Sequence, residues 1–363
     1  MKVSFVDFKR EWKMFNKKFV LAFKKFGQSG VYVLGPEVEK FENNFAKFCG
    51  YKYAVGVSTG LSALEMILRS YDIKCGDEVI TVANSAVATS LAISNVGAKP
   101  VFCDVGDDFL IDVDKIEKLI TKKTKAILPV HLFGKICNIE KINIIAKKNK
   151  LFIIEDACQA HGANFNGASA IHTKAFSFYP TKNLGALGEG GMIVTNDLKI
   201  KEFVSSYRNY GQQGRYNHMI KGTNGRIDPL QCVLMGVKLE KLSEFINIRQ
   251  RIAKKYIDKL KGLNNLLIND YNQNSAYHLF VVRVLSGQRD YLKKFLEEKG
   301  IDVLLHYPTT IHHQQCYVEE YKKINLDNTD KFQNEILSLP CYPFLKSKEQ
   351  DYIIKMIKTF FSK

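Results

Sequence analysis

The sequence of 363 residues has no apolar run long enough to span a membrane, and its first residues lack the apolar segment of a secretory signal. These absences favour a cytoplasmic protein. None of the eight cysteines forms a Cys-x-x-Cys pair, so reduced and mostly buried thiols are expected. The adjacent His312 and His313 should not share a face of a helix or strand, and the sequence therefore predicts no metal site.

The chain also lacks a basic block interleaved with aromatic residues, although its formal net charge is +16. Its lysines are spread along the sequence, often on the polar faces of predicted helices, as in residues 141–150. This distribution favours a solvated lysine-rich surface and argues against a nucleic-acid partner. Scattered positive charge would suit a nucleotide diphosphate.

Strand-like and helix-like segments alternate between residues 50 and 196, which predicts a mainly parallel sheet wrapped by helices. The start at Asp228 and Pro229 predicts one long helix that continues to about residue 262. Residues 277–284, 290–299 and 301–306 suggest a small α+β unit. We therefore expect a large domain over residues 1–240 and a smaller domain over residues 241–363. The predicted strands of the large domain are residues 53–57, 78–83, 100–104, 126–130, 151–156, 175–179 and 191–195.

A first candidate for chemistry is the segment Val57-Ser-Thr-Gly60-Leu-Ser-Ala-Leu, where a strand leads directly into a helix. The free backbone N–H groups and the positive dipole end of such a helix make an anion site. Gly60 lets the backbone come close to a phosphate. Taken alone, an ordinary Ser/Thr helix cap is the favoured interpretation.

A second candidate is Asp156, which ends an apolar segment beginning at Ile153. Ligands of such sheets lie at the carboxyl ends of the strands. A carboxylate there can hold a pyridinium N–H and keep the ring nitrogen protonated. A helix cap or surface turn is the alternative, but the apolar residues before Asp156 favour burial and hence a partner.

The third candidate is Lys182, in the segment Ser177-Phe-Tyr-Pro-Thr-Lys-Asn-Leu-Gly185. A lysine amine can form a Schiff base if its environment lowers its pKa, and the glycines permit tight turns and close cofactor approach. Alone, a glycine-rich surface loop explains this segment equally well. Together, the anion site at Gly60, the carboxylate of Asp156 and the amine of Lys182 predict a pyridoxal phosphate site more specifically than any one of them does alone.

The sequence resembles the DegT/DnrJ/EryC1/StrS family of nucleotide-sugar aminotransferases over almost its whole length. The resemblance runs from Val3-Ser-Phe-Val-Asp-Phe through Val33-Leu-Gly-Pro-Glu to Leu337-Ser-Leu-Pro. It implies an α/β fold of the fold-type-I class, similar to aspartate aminotransferase. Such a protein has a mostly parallel seven-stranded sheet in the large domain and a smaller α+β C-terminal domain. It forms a homodimer with active sites at the subunit interface.

The resemblance also implies roles for individual residues. Lys182 would be the catalytic residue that holds pyridoxal 5'-phosphate as an internal aldimine. Asp156 would bind the pyridine nitrogen, and Gln159 the ring hydroxyl. The phosphate would be bound by the backbone of Gly60 and Leu61, by the Ser177 hydroxyl and by Asn224 of the partner subunit.

Three segments, residues 208–211, 221–226 and 300–308, are most similar to the enzymes that aminate C-3 of a dTDP-linked 3-keto-6-deoxyhexose. The similarity implies that L-glutamate gives its amino group, leaving pyridoxamine 5'-phosphate, and that the ketosugar then receives it. The product would be a dTDP-3-amino-3,6-dideoxyhexose for a surface glycan such as lipopolysaccharide. The implied substrate-binding residues are His161, Tyr179, His306 and Tyr307.

Alternatives remain at this point. Tyr179 could simply pack, and His306 could be a satisfied interior histidine. The same fold could aminate C-4 of a nucleotide-linked 4-keto-6-deoxy sugar, or the chain could be a non-catalytic regulatory or nucleic-acid-binding protein on this scaffold. A related 3-dehydratase is disfavoured because those relatives replace the lysine that is present here as Lys182.

Two departures from the family pattern bear on the site. Family members usually carry an aromatic residue where Ala86 stands, and its ring stacks on the pyridine face, an interaction worth about 0.5–1.5 kcal/mol. The connection between Gly162 and Phe176 is short, which is expected to reshape the pocket wall.

Overall fold

A seven-stranded sheet forms the centre of the structure, a computed structural model that describes residues 1–165 and 172–362. The strand order is β1-β7-β6-β5-β4-β2-β3. Strand β7 is antiparallel to both of its neighbours, and the other pairs are parallel, so the predicted fold class is confirmed. The strands are β1 (Tyr53–Val57), β2 (Glu78–Val82), β3 (Lys99–Cys103), β4 (Thr124–Ile127), β5 (Phe152–Asp156), β6 (Thr173–Ser177) and β7 (Gly191–Thr195).

Helices cover this sheet, which explains why its strands are apolar along almost their whole length. In β7, for example, all five residues are buried. Strands that are buried on both faces have near-continuous apolar sequences instead of alternating ones. The helices of this part of the chain are α1 (Phe8–Ser29), α2 (Pro36–Cys49), α3 (Gly60–Ser70), α4 (Val87–Asn95), α5 (Val113–Ile116), α6 (Ile139–Asn149) and α7 (Leu198–Tyr207). Of these, α2, α3, α4, α6 and α7 pack directly on the strands.

The remaining elements build a second, smaller sheet with its own helices. Its strands have the order β10-β9-β8 and are antiparallel. A separate apolar cluster holds this part together, with Tyr256, Leu292 and Ile353 among its buried members. Helix α8 (Pro229–Leu239) comes first and packs against α1 and α2 of the large unit. The elements that follow it are α9 (Leu242–Leu260), β8 (Leu266–Leu267), β9 (Phe280–Val284), α10 (Arg289–Glu298), α11 (Val318–Tyr321), α12 (Asp327–Glu335), β10 (Ile336–Leu339) and α13 (Ser347–Phe361).

The expectation of one long helix from residue 228 to 262 is wrong, because the helix is interrupted between α8 and α9. The amide of Lys241 donates to the Lys238 carbonyl oxygen at 2.9 Å, a tighter turn than an α-helix makes. The Lys238 ammonium points inward and donates to the carbonyl oxygen of Gly185 at 2.6 Å. The predicted domain division at residue 240 falls at this break and stays a prediction.

Two further findings concern the expected elements. Residues 301–306 form only isolated bridges, in which Ile301 pairs with Val3 and Leu304 with Ser338. Residues 166–171 of the short connection before Phe176 lie outside the described residues, so its effect on the pocket wall stays a prediction.

In the part of the chain that the structure describes, no helix is long and apolar enough to cross a bilayer.

Candidate active site

The N-terminus of α3 points its first backbone amides toward the carboxyl end of the sheet. The side chain of Thr59 caps this helix by accepting from the Ser62 amide at 3.0 Å. Among the hydrogen bonds of the described residues, the amides of Gly60 and Leu61 have no acceptor. Free N–H groups at a helix N-terminus are suited to bind a phosphate.

Glycine at position 60 lets the start of α3 lie directly against the end of β6. A Cβ atom added to Gly60 would lie only 2.7 Å from the Cβ of Ser177 and 3.1 Å from the Sγ of Cys158. The close approach brings the Ser177 side chain next to the two free amides. The structure thus brings together the three phosphate contacts that were expected within one chain.

Asp156 ends β5 and is almost fully buried, with 4% of its surface exposed. Its Oδ2 accepts from the hydroxyl of Thr89 at 2.8 Å, and its Oδ1 accepts from the amide of Cys158 at 3.1 Å. A carboxylate offers about four acceptor positions, so these two donors orient the group and leave room for a pyridinium N–H.

Gln159 lies next to Asp156 and is held at both ends of its amide. Its Oε1 accepts from the Phe133 amide at 2.7 Å, and its Nε2 donates to the Tyr307 hydroxyl at 3.1 Å. The first contact fixes the orientation of the amide, because a backbone N–H can only donate. One N–H of Nε2 remains for another acceptor, such as a ring hydroxyl oxygen.

Lys182 follows β6 after a tight turn in which its amide donates to the Tyr179 carbonyl oxygen at 2.8 Å. The loop closes at Gly185, where an added Cβ would lie 2.1 Å from the Pro180 oxygen. The side chain is partly buried, and its Nζ has no hydrogen bond or ion pair to any residue that the structure describes. Burial lowers the pKa of Lys182, against the opposing charges of Cys158 and Asp156. The lower pKa increases the neutral amine that can react with a carbonyl.

The positive charge of Lys182 affects the pKa of two of the four residues expected to bind substrate. Burial, followed by this charge, lowers the pKa of His161 to about 3 and that of His306 to about 4. His306 also lies 2.9 Å from the Ser338 hydroxyl through Nδ1. His161 is fully buried against the rings of Phe176 and Phe178, and neither of its ring nitrogens has a hydrogen-bond partner among the described residues.

The other two expected substrate residues differ in exposure. Tyr307 is partly buried and is tied to Gln159, whereas Tyr179 is 49% exposed. Asn224 is exposed too, in a loop that bridges back to Asn209. Exposure is compatible with contacts to a ligand or to a second subunit. The substrate-binding roles of these residues and the cross-subunit role of Asn224 stay predictions.

The residues at this end of the sheet fit pyridoxal phosphate. Two free amides and a hydroxyl match its phosphate, a buried carboxylate matches its ring nitrogen, and an amide N–H matches its ring oxygen. A lysine amine without a partner matches its aldehyde. The model of the DegT/DnrJ/EryC1/StrS aminotransferase family matches residues 14–358.

The chain belongs to this family. Like the family, the aminotransferase depends on pyridoxal phosphate. It is 40% identical to the dTDP-3-amino-3,6-dideoxy-alpha-D-galactopyranose transaminase of Aneurinibacillus thermoaerophilus, over 99% of both chains. Its structure matches that of S. venezuelae DesV in complex with a ketimine intermediate, with a TM-score of 0.97, 36% identity and coverage of 100% and 99% of the two chains. It also matches ntda from Bacillus subtilis with bound cofactor PMP, with a TM-score of 0.96, 29% identity and coverage of 100% and 86%.

Thr89 and Cys158 contact Asp156 in the structure, but the sequence patterns did not identify them as site residues. Thr89 is a buried residue in the first turn of α4, and no local signal links it to an acid that lies 67 residues away. Cys158 stands two residues after Asp156, and that spacing was the available signal for its contact with the carboxylate. Both donors hold Asp156 in place.

At position 86 the aminotransferase has only a methyl group. Ala86 is the N-cap residue of α4 and is partly buried. Its neighbour Val87 is 38% exposed. The aromatic contact expected for the family is therefore not available from this position. The lower stacking energy of the cofactor ring stays a prediction.

Proposed function

We propose that this aminotransferase moves the amino group of L-glutamate to the C-3 keto group of a dTDP-3-keto-6-deoxyhexose. The product would be a dTDP-3-amino-3,6-dideoxyhexose. The observation that carries this proposal is the 40% identity, over 99% of both chains, to a relative named for a product of this class. The net charge of +16 supports an anionic nucleotide substrate.

Lys182 Nζ is the acid–base group of the proposed reaction. Pyridoxal phosphate, when bound, supplies an electrophilic carbonyl and a ring that withdraws electrons from the reacting carbon. Burial keeps part of the Lys182 amine neutral, so Nζ can accept a proton from the α-carbon of the amino donor. In the second half of the reaction, the same nitrogen delivers a proton to C-3 of the sugar, because this carbon gains a hydrogen when its keto group becomes an amine.

Other residues of the chain hold the ring and the sugar in the proposed reaction. Asp156 keeps the ring nitrogen protonated, and the hydroxyl of Thr89 fixes the direction of the carboxylate. Gln159 and Tyr307 act as a pair, because the amide of one donates to the hydroxyl of the other. We place the sugar against Tyr307 and His306. Tyr179 and His161 are the remaining proposed contacts.

We further propose that the enzyme is a homodimer whose partner subunit completes each active site through Asn224. An apolar surface supports this proposal, since Trp12 and Phe23 on α1 are 48% and 55% exposed. Met219 and Ile220, close to Asn224 in sequence, are exposed as well. Large exposed apolar patches mark interaction sites.

The reaction is tested by assaying the purified enzyme with L-glutamate against four acceptors. These are 3-keto and 4-keto dTDP-sugars, each of gluco and galacto configuration, with product detected by mass spectrometry. We expect amination of the 3-keto acceptors. Turnover of the 4-keto acceptors alone would show that the enzyme aminates C-4 instead of C-3. A colourless protein that binds DNA with a steep salt dependence would instead indicate a regulatory protein.

The shared active site has its own test, a mixture of two inactive variants. Lys182→Ala and Asn224→Ala dimers are each expected to have little activity. If Asn224 acts across the interface, one site of a mixed dimer carries both changes and the other carries neither, so activity returns. If Asn224 acts in its own chain, each site carries one change and the mixed dimer stays inactive. A mixture without activity, despite exchange of subunits, would place Asn224 in the site of its own chain.

A role in building a surface glycan and a cytoplasmic location remain parts of the proposal. Neither affects the chemistry at Lys182. Deleting the gene and analysing the sugar composition of the cell surface tests the first. Cell fractionation tests the second.

A further inference from the structure

The adjacent His312 and His313 lie side by side at the carboxyl end of the large sheet. They form a single 3-10 turn, Ile311–His313, and their ring centroids are 4.0 Å apart. The expectation that neighbouring histidines point apart is wrong here. It assumed a continuous helix or strand, whereas the backbone becomes extended at Gln314 directly after the turn.

Both rings face a carboxylate on α12. Nε2 of His312 lies 2.9 Å from Oδ1 of Asp330, and Nδ1 of His313 lies 3.7 Å from the same oxygen. One possible ligand atom from each of the three residues lies within 4.8 Å of the other two. Two imidazoles and a carboxylate thus converge on one point, although the residues come from separate elements.

The buried member of this group lacks hydrogen bonds. His312 is 1% exposed, and neither of its ring nitrogens has a hydrogen-bond partner among the described residues. Oδ1 of Asp330 likewise has no hydrogen-bond donor among the described residues apart from its ion-pair contact with His312 Nε2 at 2.9 Å. Buried polar groups without partners are uncommon in native proteins, and coordination of an ion satisfies such groups.

We propose that His312 Nε2, His313 Nδ1 and Asp330 Oδ1 bind a divalent metal ion of the zinc class. Imidazole and carboxylate ligands suit Zn²⁺ and Co²⁺, whereas Mg²⁺ and Ca²⁺ prefer sets made of oxygen alone. Ligands about 2.0–2.1 Å from a tetrahedral ion lie about 3.3 Å from one another. The distances of 2.9 and 3.7 Å lie on either side of this value.

The His313 side chain, the most exposed of the three ligands, can make the remaining adjustment. The His313 side chain is 43% exposed, so its ring can turn toward the ion. Its Nδ1 now lies 3.2 Å from the Thr310 hydroxyl and 3.5 Å from Nε2 of Gln333, and the ion would replace both contacts. Solvent would fill the fourth position, since Asp330 is also partly exposed.

A bound ion would join α12 to the loop that follows β2. The amide of Ile311 donates to the carbonyl oxygen of Ala83 at 2.8 Å, and Ala83 begins the loop that leads to Ala86. The metal therefore stabilises the wall beside the cofactor site and takes no part in transamination. This proposal does not depend on the identity of the sugar.

The test is a titration of the cofactor-loaded enzyme with Co²⁺ and Zn²⁺ in the presence of a competing chelator. The parent protein carries Cys75→Ser and Cys316→Ser, since these two thiols are exposed and could bind metal themselves. The test variant is His313→Leu, which keeps the buried His312 in place. The control is His218→Leu, which removes another exposed histidine.

The proposal expects the parent and the His218→Leu control to bind Co²⁺ equally, with the visible spectrum of a four- or five-coordinate ion. His313→Leu should weaken binding by at least about tenfold, the lower end of the effect of losing a supporting partner. Asp330→Asn should do the same, and Zn²⁺ should raise the melting temperature of the parent and of the His218→Leu control but not of His313→Leu or Asp330→Asn. Equal binding by parent and His313→Leu, or no binding by the parent, would overturn the proposal.

Discussion

Replacing Gly60 by alanine tests whether the contact between α3 and β6 shapes the phosphate site. The added Cβ would lie 2.7 Å from the Cβ of Ser177 and 3.2 Å from its Cα. That Cα belongs to the sheet and cannot swing aside, and overpacking of this kind costs about 1–3 kcal/mol of folding free energy. Because Gly60 is the first residue of α3 and not an interior one, alanine gains little helix propensity there, and the net loss should stay at about 1–3 kcal/mol.

Gly236→Ala is the matched control, because Gly236 lies inside α8 and an added Cβ would meet nothing within 4 Å. This change should stabilise the protein by about 0.4–1 kcal/mol. The difference between the two variants in urea denaturation isolates the effect of the contact.

The same Gly60→Ala variant should also bind its cofactor more weakly. Losing one hydrogen bond to a charged phosphate costs about 1.5–3 kcal/mol, so the dissociation constant for pyridoxal phosphate in an absorbance titration should rise at least about tenfold. A Gly60→Ala protein as stable as the Gly236→Ala control, with unchanged cofactor affinity, would contradict this role for Gly60.

Three other changes probe the groups around the site. Thr89→Val removes a donor to the buried Asp156 and should lower the free energy of unfolding by about 1.5–3 kcal/mol in urea; no change would mean that the contact is not made. Lys174→Met leaves the buried Glu155 carboxylate with His131 as its remaining partner, so the cost should stay below the about 3–5 kcal/mol of a fully uncompensated charge; a neutral effect in the same assay would show that the Lys174–Glu155 pair does not stabilise the fold. The pKa of His306 is about 4 when folded and 6.5 ordinarily, so the unfolded state binds more protons and the stability falls as the pH drops from 6.5 through about 4. His306→Gln should show a smaller fall over this range, and an identical pH dependence would contradict the shift.

The sequence allowed the large sheet and the cofactor residues to be predicted because both depend on local patterns. The segments 53–57 and 191–195 were predicted with the bounds that the structure has. Asp156 ends a buried strand and Lys182 follows one, and parallel strands bring their carboxyl ends to one edge of the sheet.

Features that depend on long-range contacts could not be predicted in this way. The break between α8 and α9 accompanies the inward turn of Lys238 toward Gly185, a residue from a distant loop. The contact of Thr89 with Asp156 joins residues far apart in sequence. The convergence of His312 and His313 on Asp330 depends on the packing of a turn against α12, which no periodicity encodes.

The proposed chemistry depends above all on the Lys182 amine as the carrier of the cofactor, and borohydride reduction followed by peptide mapping examines that attachment. Reduction of the cofactor-loaded enzyme makes the lysine–cofactor bond permanent, and mass spectrometry then locates the added mass. We predict the pyridoxyl phosphate group on the peptide that contains Lys182, and its loss from the Lys182→Ala variant. The group on another lysine, or retained in that variant, would show that Lys182 does not carry the cofactor.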